Sequence, residues 1–237
     1  MILYKKIIVI VSLIFSITVS SFAQKTHIHG KVPEYANCEL EFLIYTDFIS
    51  KTEKTLANCK VDENGEFFVN VDIKETKYVF LHLGIYQAFI FIEPNKDYEL
   101  LLPEKKEKTT AEKLNPYFKE IKYHLGIVNS SESELNYVLA YFNHEYNKMS
   151  NESAYAVYTK DVGLNVDEVV AKLDSNFSNY KNKYFLNYKK YKIAYFRHLS
   201  YQYKTKSISN TYYLNKDVLY SNPAYMELFN QVYDEYL

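Results

Sequence analysis

The sequence predicts an α+β protein, an antiparallel β-sandwich followed by an all-helical region, and three observations carry that expectation. Short apolar runs with a two-residue period fill the stretch from Thr26 to Leu102, apolar residues at three- and four-residue steps fill the stretch after Ser131, and the composition changes between them. Residues 24–104 hold 8 basic and 14 acidic residues, a net of −6, whereas 105–237 hold 18 and 15, a net of +3. Tyrosine divides as unequally, with 5 in the first stretch and 20 in the second. The expected organisation is a signal peptide at 1–23, a sandwich at 24–104 and a Tyr-rich helical domain at 105–237.

At the amino terminus, Lys5 and Lys6 precede an apolar run from Ile7 to Ile17, and Ser21-Phe22-Ala23 stand before Gln24. A short apolar run between a basic start and small residues is the pattern a signal peptidase reads. The run falls short of the ~20 residues that span a bilayer, so the expected mature chain starts at Gln24. No cysteine follows the cut to take a lipid. The expected address is periplasmic or otherwise exported, with no stable membrane insertion after cleavage.

Composition excludes several classes. With 48% hydrophobic residues, five Gly and five Pro in 237, the chain is neither disordered nor collagen-like. Its 28 Lys+Arg against 29 Asp+Glu give a net charge of −1 and no global attraction to nucleic acid. Two cysteines make neither a disulfide scaffold nor a four-Cys zinc module.

In the first stretch the alternation Ile28, Gly30, Val32, then Leu40, Phe42, Ile44, then Phe67, Val69, Val71 marks half-buried strands. Seven are expected, beginning near residues 26, 38, 54, 66, 77, 86 and 97, a density that fits a sandwich. Asn64-Gly65 is the strongest hairpin turn, because a two-residue turn needs positive φ at both positions. Glu93-Pro94-Asn95-Lys96 marks another, and Lys105 to Thr110, which has no apolar residue, reads as a linker. Cys38 is in phase with Leu40 and Phe42, and Cys59 with Ala57 and Val61. A hairpin about Phe48-Ile49 that sets Phe42 opposite Thr55 also sets Cys38 opposite Cys59, either as a disulfide or as two buried thiols.

Helices are expected in the second stretch. Ser131 to Glu134 reads as a capping box ahead of Leu135, Val138, Leu139, Phe142, Tyr146 and Met149. A second box starts at Asn165 with Glu168 three residues on, and since no Gly or Pro follows before Pro223, this helix is expected to reach about Lys204. Leu173, Phe177, Tyr180, Tyr184, Tyr188, Tyr191, Tyr195 and Leu199 then share one face, while Lys183, Lys190, Arg197 and Lys204 recur every seven residues opposite them. Two readings of this segment stand side by side: a core-facing Tyr stripe with a solvated basic back, and a glycan- or anion-binding surface. Asn222 and Pro223 open a last helix carrying Tyr225, Leu228, Phe229 and Val232.

Three stretches, Asp62-Glu63-Asn64-Gly65-Glu66-Phe67, Ile92-Glu93-Pro94-Asn95-Lys96-Asp97-Tyr98 and Asn222 to Asn230, together resemble the non-catalytic N-terminal portion of exported TlpA-like, thioredoxin-family proteins. The resemblance implies a transthyretin-like sandwich and a helical region acting as an accessory of the cell envelope, with another envelope protein as partner. That family's chemistry resides in a C-x-x-C motif that this sequence lacks, so no catalytic residue is carried over. The resemblance equally fits a shortened gene product whose thioredoxin-like domain is missing.

Other chemistry is sparse. His27 and His29 lie on one face of the first strand, as two metal ligands would, without a third on that strand. His82 alternates with Tyr78 and Phe80 and is expected to be a hydrogen-bonded structural histidine. No nucleophile elbow, zincin, dinucleotide or P-loop motif occurs. The expected protein is not an enzyme, with no catalytic, cofactor or metal site.

Overall fold

The computed structural model describes residues 25–128, 130–159, 164–200 and 204–234. The expected signal peptide at 1–23 lies outside the described residues. All seven expected strands form, each beginning within one residue of its expected start: β1 (Thr26–Lys31), β2 (Glu39–Tyr45), β3 (Glu53–Lys60), β4 (Glu66–Val71), β5 (Lys77–Leu83), β6 (Tyr86–Ile92) and β7 (Asp97–Leu101). After a short helix α1 (Thr110–Leu114) come two more, β8 (Ile121–His124) and β9 (Gly126–Ile127). The region after residue 105 is therefore not all-helical.

Two sheets result, ordered β4-β1-β7-β9 and β3-β2-β5-β6-β8. Both are mixed rather than antiparallel, because β1 runs parallel to β7 and β6 parallel to β8. Parallel neighbours need a crossover, and residues 93–120, which pass through β7 of the other sheet, supply the one between β6 and β8. Between the sheets lies a mostly aliphatic core that includes Ile28, Leu40, Val79, Ile90 and Leu100 with Phe42, each at most 1% exposed.

The stretch expected as a linker is held by the sandwich. The Tyr35 hydroxyl donates to the Pro103 carbonyl at 3.1 Å, Lys105 N–H to Glu34 Oε2 at 2.9 Å, and Ile85 N–H to the Lys106 carbonyl at 3.0 Å. Gly84 makes this approach workable. Its φ is +59°, and a Cβ there would lie 1.9 Å from the Lys106 oxygen.

The turns refine the expectations. Asn64-Gly65 is not a turn with both residues at positive φ, since Gly65 alone is left-handed, at +80°. Asp62 organises it, its Oδ1 accepting from Asn64 N–H at 2.8 Å and Glu66 N–H at 2.7 Å. Asn95 takes a left-handed φ of 61° after Pro94.

Cys38 and Cys59 do not face each other; both are free thiols. The β2–β3 hairpin forms, but its register sets Leu40 opposite Cys59 and Phe42 opposite Ala57. The connection spans 46–52, and a bulge then places Leu56 as an extra residue on β3, which together displace the cysteines by two positions. Burial, helped by Glu39, pushes the Cys59 thiol up to about 11.

Five longer helices follow: α2 (Leu135–Thr159), α3 (Val166–Asn176), α4 (Lys183–Leu199), α5 (Thr205–Tyr212) and α6 (Pro223–Tyr233). Instead of a Ser131 capping box, the Glu134 carboxylate itself accepts from Asn136 and Tyr137 N–H, at 2.7 and 3.0 Å. The long helix expected from Asn165 to Lys204 is broken between Asn176 and Lys183. There Ser175 and Ser178 hydroxyls donate to main-chain carbonyls, and Asn182 Oδ1 accepts from Tyr184 and Phe185 N–H, starting a new helix. Asn182 also donates to Glu93 Oε1 at 2.8 Å, tying the break to the β6–β7 turn.

These helices form a third layer on the outer face of the five-stranded sheet. Their core includes Leu139, Phe142, Phe177, Phe185 and Leu228, and Phe91 of β6 belongs to it. Asn136 stitches the layers: its Oδ1 accepts from Phe91 N–H and its Nδ2 donates to the Phe91 carbonyl, both at 2.8 Å. A side chain thus completes the main chain of β6 beyond the end of β8.

Candidate functional site

The Tyr stripe of α4 faces the core. The Tyr184 hydroxyl donates to the Ser221 carbonyl at 3.0 Å, Tyr188 to Asn143 Oδ1 at 3.0 Å and Tyr191 to the Tyr212 carbonyl at 3.2 Å. Burial pushes Tyr188 and Tyr191 up to about 12, so these hydroxyls stay protonated donors.

The four basic residues expected as a row do not act as one. Lys183 and Lys190 are exposed on α4, with the Lys190 ammonium 5.2 Å from the Tyr191 ring centre. Arg197 is 2.8 Å from Asp167 of α3. Lys204 lies beyond the end of α4, at the start of α5. The acids that meet α4 come from the helical layer and not from the acidic sandwich. Lys189 pairs with Asp174, and Lys192 with Glu227 at 3.0 Å.

The histidines are engaged separately. His27 Nδ1 contacts Asn70 Oδ1, while His29 Nε2 lies 3.4 Å from Asp97. Among the described residues no group of three or more His, Cys, Asp or Glu is placed to hold a metal ion. His82 sits between carboxylates, Nδ1 2.5 Å from Glu120 and Nε2 3.1 Å from Glu53. Desolvation lowers its pKa, but hydrogen bonds to Glu120 and Glu53 outweigh it and the net direction is upward. His124 stacks on Phe89 at 4.9 Å, and burial holds it below the usual histidine range.

A cleft of about 560 Å³ opens between the outer face of the five-stranded sheet and the helices. Its floor is aromatic. Tyr45 and Tyr78 lie 6.3 Å apart and 12° from parallel, Tyr78 and Phe89 5.3 Å apart and 28° from parallel. Phe48, from the β2–β3 loop, closes one end at 5.6 Å from Tyr45. These rings share a face because Tyr78 and Phe80 alternate with inward Val79 and Leu81, and Phe89 and Phe91 with inward Ala88 and Ile90.

The opposing wall is polar. Asn143 comes from α2, Tyr188 and Tyr195 from α4, and Glu227, Asn230 and Gln231 from α6. Asn230 Nδ2 donates to the Phe48 carbonyl at 3.1 Å, holding the loop against α6, while its buried Oδ1 has no hydrogen-bond partner among the described residues. On the sheet side stand Lys51 and Lys122. Desolvation, then the charge of Lys51, lowers the Lys122 pKa, with Glu120 acting the other way. Lys122 Nζ donates weakly to the Tyr78 hydroxyl at 3.4 Å.

Sequence reasoning did not locate this cleft. Its residues come from strands β2, β5, β6 and β8 and helices α2, α4 and α6. The signal that could have exposed it is the nearly continuous apolar run in β5 and β6, which marks strands covered on both faces. No family model, curated protein or solved structure matches the chain.

Proposed function

We propose that the protein is an exported, non-catalytic binding module of the cell envelope whose ligand sits in the cleft between the five-stranded sheet and the helices. One observation carries this reading: aromatic rings, ammonium groups and amide side chains from distant parts of the chain converge on one concavity. Concave sites with an apolar floor and a few convergent polar groups are the usual form of small-ligand sites. A binder fits better than a catalyst, because the cleft pairs no nucleophile with a base among the described residues, and burial makes Tyr78 and Tyr188 weaker acids than free tyrosine. Export rests on Lys5, Lys6 and the apolar run Ile7–Ile17 ahead of Ala23.

A thermal-shift screen of sugars, sugar acids, amino acids and short peptides tests the reading. A ligand that binds the native state raises the melting temperature, increasingly so as its concentration exceeds its Kd. Asn143→Trp, which fills the cleft, is expected to abolish the shift. A hit unaffected by that substitution places the site elsewhere.

A second reading, an accessory region of the TlpA-like kind with a transthyretin-like sandwich, is favoured by the Asp62–Phe67 turn, the left-handed Asn95 and the Asn222 cap. Each occupies a defined structural role. Its test is pull-down from envelope extract: an envelope protein retained by the wild type and lost on disrupting the Asp62 turn with Asp62→Ala supports it.

A further inference from the structure

We propose that the cleft takes an acidic saccharide: a pyranose ring on the Tyr45–Tyr78–Phe89 floor, its carboxylate or sulfate between Lys51 and Lys122, and its hydroxyls on Asn230 and Glu227. This deepens the binding reading above and rests on it.

The anionic group follows from the lysines. Among the described residues Lys51 and Lys122 have no carboxylate within ion-pair distance, whereas Lys189 and Lys192 of the helical layer are both paired with acids. Two ammonium groups that line one aromatic cleft offer a place for an anion between them. The position of Lys51 is fixed by the loop. Asp47 Oδ1 accepts from Ile49 N–H at 2.8 Å and Ser50 N–H at 2.6 Å, and Lys51 is then held at a left-handed φ of 54°. Such a conformation in a residue with a side chain persists where the surroundings impose it.

The saccharide body follows from the rest of the cleft. The Tyr45, Tyr78 and Phe89 rings give the sheet side of the cleft an apolar surface, and a pyranose offers C–H groups to such a surface while directing hydroxyls sideways. The buried Asn230 Oδ1 lacks a donor among the described residues, and Glu227 supplies acceptors on the same wall. Hydroxyls donate to both, as sulfate or a simple carboxylate does not. A peptide of the same charge would seek main-chain partners, but the floor lies on β2, β5 and β6, the three internal strands of the sheet, whose edges are taken by β3 and β8. The volume of about 560 Å³ suits one or two sugar rings.

Calorimetric titration of the full chain with cellobiouronate, neutral cellobiose and acetyl-triglycine tests the assignment. Cellobiouronate is expected to bind at least tenfold more tightly than cellobiose. Lys51→Gln/Lys122→Gln, two exposed positions, is expected to erase that preference. Equal affinity for the two disaccharides, or a preference that survives the double substitution, overturns the anionic subsite. Tighter binding of acetyl-triglycine overturns the saccharide. If no saccharide binds while another class gives a shift that Asn143→Trp abolishes, this inference fails and the binding reading stands; if no class does, both fail.

Discussion

The two faces of the five-stranded sheet are built from alternate residues of the same strands and do different work. The inner face is aliphatic and dry: Val79, Leu81, Ala88, Ile90 and Ile92 are at most 1% exposed. The outer face, one residue away at each step, carries Tyr78, Phe80, His82, Gln87, Phe89 and Phe91, with Lys122 and His124 added by β8. Packed aliphatic side chains leave few gaps, whereas rings meeting helices at an angle leave a cleft and need polar partners for their hydroxyls. The aliphatic face therefore serves stability, and the proposed recognition falls on the other face.

The largest expected effect is on the inner face. Ile90→Ala should destabilise by about 2–5 kcal/mol, measured by urea unfolding, because a fully buried site cannot collapse around the lost atoms. Its neighbour Phe89→Ala, half-buried on the cleft floor, should cost under about 2 kcal/mol while abolishing ligand binding. Equal losses would contradict the division of labour. Next comes the stitch between layers. Asn136→Ala leaves Phe91 N–H and C=O without that partner and should cost about 1–3 kcal/mol.

The two outer-face histidines should give pH slopes of opposite sign. His82 has a raised folded pKa, so its contribution is complete below the ordinary value of 6.5 and is lost as pH rises through the folded value. His124 has a depressed folded pKa, so its contribution is complete above 6.5 and is lost as pH falls toward the folded value. Melting temperature against pH should accordingly lose its alkaline decline in His82→Gln and its acidic decline in His124→Phe. The smallest effect is on the far side of α4, where Lys183→Gln/Lys190→Gln should change stability by less than about 0.5 kcal/mol. It should also leave binding in the cleft untouched.

The strands were legible because turn residues and period-two runs are local, and Asn222 and Asn165 cap their helices as their spacing suggests. Register was not. The facing of Cys38 and Cys59 depended on a seven-residue connection and on the bulge at Leu56, neither of which changes the apolar pattern. The break in the long helix was hidden for a related reason: Ser175, Ser178 and Asn182 end and restart it by hydrogen bonding, without Gly or Pro. The basic row was periodic in sequence but dissolved once α4 stopped at Leu199 and Arg197 met Asp167. The cleft is a tertiary object, and its lysines lie on a loop and on a late strand that joins the sheet by a parallel crossover.

Aromatic carbon–proton chemical-shift mapping of the intact chain during titration with cellobiouronate tests the central claim most directly. Perturbations concentrated on Tyr45, Phe48, Tyr78 and Phe89 are predicted. Perturbations confined to His27 and Phe68 on the other sheet, or to Tyr rings beside Lys183 and Lys190, would contradict a binding site between sheet and helices.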